Sequence, residues 1–309
     1  MKAKYTNFFI CTLILLFFIE IFDHTNLIIK TFIESSKLWF YNLIPTLFPF
    51  LIITDLLSNY GFINYISKIF GKLMTIFKLP PNSSYAFFMS MFSGFPGNSK
   101  LIKELLDKKE IDENDATKLL TFTHFSNPLF IIGTIGTLFL KNKKISIIIL
   151  IVHYLTNFII GFIFRNIYKS TTYELKKSYF LSQSFIKVLL NSINQSINIM
   201  FTIYGIIVFT SLLINIITVN INISSFFKSI LTGLIEMTQG LKLISEQSLS
   251  YQAKASIMTF FLSFGGVSIH MQIMSILANY KINYYIYFLS RIIHASISSL
   301  LVYFLISII

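Results

Sequence analysis

Apolar stretches long enough to cross the roughly 30 Å of hydrocarbon in a bilayer recur along this chain, at 7–22, 38–58, 119–140, 145–164, 197–219, 255–278 and 282–309. Lipid offers no water to pair with backbone N–H and C=O groups, so stretches of this length fold as helices that satisfy their own backbone. Apolar residues make up 54% of the 309 positions and charged residues 12%, which excludes an ordinary soluble domain and leaves a polytopic membrane protein. The segment from Lys2 to Ile19 has the basic start and apolar middle of a secretory signal. No small-residue cleavage site follows at Glu20, Asp23 and His24, so it reads as a retained first span. Cys11, the single cysteine, lies inside that span, which rules out an intrachain disulfide.

A net charge of +12 raises the question of nucleic acid. The lysines, however, sit in short segments between apolar stretches, as at Lys141, Lys143, Lys144, Lys169, Lys176 and Lys177, the placement expected of cytoplasmic loops. Basic segments flank the 145–164 stretch on both sides, so charge alone sets no orientation.

Shorter apolar stretches at 60–79, 84–97 and 226–241 are broken by Gly or Pro and flanked by charge, which marks them as re-entrant or interfacial. Residues 83–100, SSYAFFMSMFSGFPGNSK, are interrupted at Gly94, Pro96 and Gly97. Residues 262–272, LSFGGVSIHMQ, are interrupted at Gly265 and Gly266, and Ser126, Asn127 and Pro128 make a third break. Residues 100–118, KLIKELLDKKEIDENDATK, read as a charged helical hairpin outside the bilayer with Asp112 as an N-cap.

The two halves look related. PGNSKLI at 96–102 matches TQGLKLI at 238–244 through Lys100, Leu101, Ile102 and Lys242, Leu243, Ile244. The Ser126 break is answered by Ser263 to Gly266, and His153 by His294. The expected fold is an all-α polytopic membrane protein of two inverted structural repeats with re-entrant or broken helices. The expected units are a membrane repeat at 1–164, a linker at 165–187 and a second repeat at 188–309.

Paired breaks in corresponding positions of two halves point to a transporter's solute site. Glu236 is the only acid between Glu174 and Glu246 and sits among apolar turns, where an ionisable group is costly and functional by default. The alternative is an interfacial carboxylate on an amphipathic helix. Breaks free N–H groups at half-helix N-termini, which attract anionic groups. Arg291 and His294, at i and i+3, share a helix face. Arg291 either pairs with Glu236 or a solute carboxylate, or snorkels to the interface. His153 with Asn157, and His294 with Ser298, suit hydrogen bonds to neighbouring helices. Gly97 to Lys100 lacks the spacing of a phosphate loop, and no H-E-x-x-H, G-x-S-x-G or C-x-x-C pattern occurs. An enzyme, a metal site and a cofactor are therefore not expected, and the coupling ion is left open.

Several of these segments together resemble the YlbJ-type sporulation integral membrane proteins, which carry the nucleoside-recognition or Gate domain of relatives of concentrative nucleoside transporters. They are WFYNLIPTLFPF (39–50), SGFPGNSK (93–100), LLTFTHFSNPLFIIG (119–133), HYLTN (153–157), GLIEMTQG (233–240), residues 252–277 and RIIH (291–294). The resemblance implies a secondary transporter at work in endospore formation, in the cell membrane or outer forespore membrane. Its implied solute is dipicolinate, moved from the mother cell towards the forespore. The alternatives are a nucleoside carrier and a non-transporting scaffold for spore-envelope (cortex) assembly. The implied solute-binding residues are Asn98, Ser99, Ser126, Asn127, Glu236, Gln239, Ser263, Gly265, Gly266 and Gln272, with Lys100, Lys242 and Arg291 as anion partners. The expected partners are a small-molecule solute and the lipid bilayer, with a homo-oligomer allowed and nucleic acid excluded.

Overall fold

The computed structural model describes residues 2–168, 184–219 and 221–308, with side chains from residue 5 onward. Most of the expected 165–187 linker lies outside the described residues. The described chain is helical, and six of its helices are long and apolar enough to cross a membrane: Tyr5–Asp23, Thr25–Asn59, Lys143–Phe164, Phe185–Val219, Tyr251–Ile276 and Tyr284–Ile308.

The first of these belongs to α1 (Lys2–Asp23), which leans on its neighbours lightly and exposes Phe8, Phe9, Leu15 and Phe18. Then α2 (Thr25–Leu38) and α3 (Ile44–Asn59) run on through a π turn at Trp39–Leu43. That turn lies just before Pro45 and Pro49, whose missing N–H groups and bulky rings disturb the regular ladder and widen it locally. The amphipathic α4 (Phe62–Met74) buries Ile63 and Met74 and exposes Tyr65 and Ile69 beside Lys68 and Lys72.

The next three pieces are interrupted or short. A helical hairpin is formed by α5 (Ser83–Ser93) and α6 (Gly97–Asp107) around Gly94 to Pro96, where the Phe95–Pro96 peptide is cis. It is followed by α7 (Glu113–Phe122), a non-helical piece at 123–127, and a helix that starts at Pro128 and continues as a π helix at Phe130–Phe139. The apolar stretch expected at 119–140 is therefore split, because Pro128 supplies no N–H and Asn127 turns its side chain back to the N–H of Leu129 at 2.7 Å. A full span, α8 (Lys143–Phe164), starts on an Asn142 cap.

The same succession occurs again after the 35-residue α9 (Phe185–Val219). The hairpin is α10 (Ser225–Ile235) with α11 (Met237–Glu246), broken at Glu236. The broken helix is α12 (Tyr251–Phe264) with α13 (Gly266–Ile276), and the full span is α14 (Tyr284–Ile308). Each pair matched in the sequence falls on corresponding elements: Lys100 and Lys242 on α6 and α11, and His153 and His294 on α8 and α14. The spans α8 and α14 pack against each other and bring those two imidazoles to 4.9 Å between centroids, while α3 packs along α9.

The charged segment 100–118 differs from its expectation. Its first arm is the returning limb of the α5–α6 hairpin and buries Lys100, Leu101, Ile102, Leu105 and Leu106, so the exposed residues are those of the tip, 107–109 and 114. Asp112 does cap α7, accepting from the N–H of Asp115 at 2.7 Å. That tip is tied to the α13–α14 loop. Tyr280 donates to Asp107, and the Lys281 N–H donates to Glu113 Oε1 at 2.8 Å. The bond to Asp107 holds the Tyr280 phenol up at about 12.

Glycine decides how the breaks meet. Gly94 has φ +68°, and a Cβ there would lie 2.8 Å from the backbone nitrogen of Asn127 in the next break. Gly266 has φ +66°, and its Cβ would lie 3.1 Å from the nitrogen of Met237 beside the Glu236 break. In each half the hairpin break therefore rests directly on the break of the following helix. Gly94→Ala should cost about 1–3 kcal/mol through strain and overpacking, read as a lower melting temperature in detergent. Gly205→Ala, where nothing lies within 4 Å of the added carbon, should stay within about 0.5 kcal/mol of the parent.

Candidate functional site

The breaks surround a central cavity of about 30 Å³. Phe95, Pro96, Ser126 and Asn127 line it from the breaks of the first half, Met237, Thr238, Ile269 and Gln272 from the second, and Thr46, Leu47, Ile203 and Ile207 from α3 and α9. This volume holds about two water molecules, too little for a ring-bearing molecule. An outer pocket of about 350 Å³ lies between α9 and α13. Ile203 and Gln272 line both spaces and stand between them.

Of the residues singled out from the sequence, Ser126, Asn127 and Gln272 line this cavity. Asn127 is heavily engaged: its amide N–H groups go to the carbonyls of Thr46 (3.1 Å) and Phe92 (2.5 Å), and its oxygen takes the N–H of Leu129. Ser126 donates its backbone N–H to His153 Nε2 at 3.1 Å and gives its carbonyl to the hydroxyl of Tyr154. Gln272 is fully buried, yet neither its oxygen nor its nitrogen has a partner. The same holds for Asn98 in the first turn of α6, a helix that packs on α13. An unpaired buried amide costs about 1–3 kcal/mol; that of Gln272 lines the cavity, whereas Asn98 lies outside its lining.

The remaining residues do other work. Glu236 is 1% exposed and caps α11, accepting from the N–H groups of Thr238 (3.2 Å) and Gln239 (2.6 Å). Its negative charge faces the positive end of the helix dipole. It is buried, not interfacial. Gln239 reaches Ser35 on α2 and Ser211 on α9, at 3.0 and 2.8 Å, and so moors α11 to the framework. Ser99 bonds back to the carbonyl of Pro96 at 2.6 Å. Gly265 and Gly266 form the turn between α12 and α13.

The three assigned anion partners lie away from the cavity lining. Lys100 is paired with Asp55 at 3.0 Å. Lys242 is exposed beside a separate pocket lined by Glu34, Lys37 and Tyr41. Arg291 neither pairs with Glu236 nor snorkels: it is fully buried and donates to the carbonyl of Thr121 near the C-terminal end of α7, and to His294 Nδ1 at 3.0 Å. A cation at the negative end of a half-helix is compensated by the helix dipole instead of by a carboxylate.

The histidines complete this inner frame. His153 accepts at Nε2 from Ser126, so its Nδ1–H donates to Ser263 at 2.9 Å. His294 accepts at Nδ1 from Arg291, so its Nε2–H donates to the carbonyl of His153 at 3.1 Å. Ser298 donates to Ser263 at 2.9 Å, and Asn157 to the carbonyl of His124 at 3.0 Å. Both i, i+4 pairs thus bond neighbouring elements, as their spacing suggested. Sequence reasoning missed Thr46, Phe95 and Thr238 as lining residues; only Phe95, next to the Gly94 and Pro96 break, carried a local signal.

Replacing Glu236 separates its cap from any solute role. Glu236→Gln keeps an accepting oxygen and loses the charge, at about 0.3–1 kcal/mol. Glu236→Ala loses both, at about 0.5–2 kcal/mol. Thermal unfolding in detergent reads the difference.

Comparison with known proteins places a Gate domain, described as nucleoside recognition, on residues 40–171, from the π turn before α3 to the end of α8 and beyond. The chain is 27% identical over 301 residues to the sporulation integral membrane protein YlbJ of Bacillus subtilis (strain 168), covering 84% of this chain and 74% of that protein. No solved structure matches the chain. The chain is therefore a multi-pass integral membrane protein whose residues 40–171 match the Gate model and which is similar along most of its length to the sporulation integral membrane protein YlbJ.

Proposed function

We propose that this protein is a secondary carrier of a small, polar, ring-bearing solute of the nucleoside class, acting during endospore formation. The observation that carries the reading is the cavity where helix breaks of both halves meet, lined by the unpaired amide of Gln272. An amide presents a donor beside an acceptor, which matches the N–H and C=O edge of a nucleobase. Asn98, on α6 outside the cavity lining, is a second unpaired amide. The Gate domain and the likeness to a sporulation membrane protein support the solute class and the setting. The recurrence of hairpin, broken helix and span supports two halves of inverted orientation that rock or slide against each other around the cavity.

Dipicolinate is the second reading. It is favoured by α6 and α13, which both begin without a side-chain cap and offer N–H groups to a carboxylate. Against it, no Lys or Arg among the described residues lines the cavity, so a dianion would enter without a full counter-charge.

The test is ligand-induced stabilisation of the purified protein in detergent, with inosine and uridine compared against dipicolinate. A nucleoside at about 100 times its Kd should add about 2.7 kcal/mol, and Gln272→Ala and Asn98→Ala should abolish that gain while remaining folded. Stabilisation by dipicolinate alone would establish the second reading. No shift with any of these ligands would remove the carrier and leave a non-transporting scaffold for spore-envelope assembly.

A further inference from the structure

A second polar cluster lies apart from the cavity, where the returning arm of the α5–α6 hairpin meets the framework. Lys100 on α6 pairs with Asp55 on α3 at 3.0 Å, with both side chains nearly closed off at 6% and 5% exposure. Asp55 is well served: its other oxygen takes hydrogen bonds from Ser192 on α9 and from Asn59 at 3.2 Å. Glu104 is not. It stands one turn beyond Lys100, 4.0 Å from that ammonium, and neither of its oxygens, both shut off from solvent, has a hydrogen-bond partner.

With every group ionised this cluster carries a net charge of −1 in a closed space. Two carboxylates share one enclosed ammonium, and the ammonium is committed to Asp55. The other groups facing Glu104 do not neutralise it. Lys108 stands exposed at the rim and gives its ammonium to Ser58, at 2.9 Å to the hydroxyl. Tyr85 on α5 donates its hydroxyl to the carbonyl of Thr54. Leaving a bare carboxylate in such a place costs several kcal/mol, and the small cation that removes the charge without needing further room is a proton.

We propose that Asp55, Lys100 and Glu104 form a proton-binding site, with Glu104 carrying the proton while Lys100 is held by Asp55. Lys100 and Glu104 ride on the same helix, whereas Asp55 belongs to the framework. If α6 moves away from α3, Lys100 loses Asp55 but keeps Glu104. The Glu104 O–H bond then breaks, its proton passes to water at the Lys108 and Ser58 rim, its carboxylate is paired with Lys100, and the Asp55 carboxylate is left on the hydrogen bonds from Ser192 and Asn59 that Glu104 lacks. Proton occupancy and hairpin position are therefore linked. Use of that link to drive solute movement rests on the carrier reading, whereas the proton site stands without it.

The test is infrared difference spectroscopy of the full chain in lipid nanodiscs during a pH titration, following the carbonyl stretch of protonated carboxyl groups. A component of this band should be present at neutral pH, be lost in Glu104→Gln and persist in Glu110→Gln, whose carboxyl is pushed up by burial elsewhere in the loop. Asp55→Asn frees Lys100 to serve Glu104, so the midpoint of the band should fall by about 1–3 pH units. A merely structural pair would not move it. A band unaltered in Glu104→Gln, or a midpoint unmoved in Asp55→Asn, would overturn the proposal. Loss of the band on adding sodium at fixed pH would also overturn it, since the site would then hold a metal cation. If nucleosides and dipicolinate fail to stabilise the protein while the band behaves as expected, the carrier reading falls and the proton site remains.

Discussion

Backbone groups freed where a helix breaks inside an apolar interior must find partners, and most of this structure follows from that requirement. Breaks fall at Gly94 to Pro96, between Phe122 and Pro128, at Glu236 and at Gly265. Water is absent from hydrocarbon, so each open helix end has to be met by protein. Asn127 caps the π helix, Glu236 caps α11, and Arg291 receives a carbonyl near the end of α7. His270 meets the carbonyl of Phe264 at 3.0 Å at the end of α12. The polar residues that stand out in the sequence are in large part the groups that make broken helices tolerable.

This shared duty limits what any one of them says about function. Glu236 is a buried carboxyl, yet its contacts are those of an N-cap. Asn127 lines the cavity, yet its donors and acceptor are committed to backbone. The residues that best mark a ligand are the ones without structural occupation, Gln272 and Asn98. A buried amide with two idle atoms weakens the fold.

Buried charge is handled in two ways. Arg291 and Glu236 are each set against a helix end of opposite polarity, so neither needs an ion partner. Asp55 and Lys100 instead compensate each other across the hairpin and framework, and removing one partner of such a pair typically costs about 3–5 kcal/mol. Asp55 was detectable in advance. It lies in the apolar stretch at 38–58, and the rule that drew attention to Glu236, an acid at membrane depth, applies to it equally. Its partner was not detectable, because Lys100 lies far along the chain and looked like part of an external charged hairpin.

The sequence by itself determined the class of the molecule and the breaks at Gly94 to Pro96, Ser126 to Pro128 and Gly265, because hydropathy, Gly and Pro act over a few positions; the break at Glu236, in a run with no Pro, came from the structure. Tertiary structure alone decided which polar groups face a cavity and which face a helix end. Arg291 finds Thr121 across 170 positions, Gln239 finds Ser35 across 204, and Ser192 finds Asp55 across 137. Those meetings depend on how packed helices are rotated and how far the halves approach. A pattern of residue types along one chain carries no record of either.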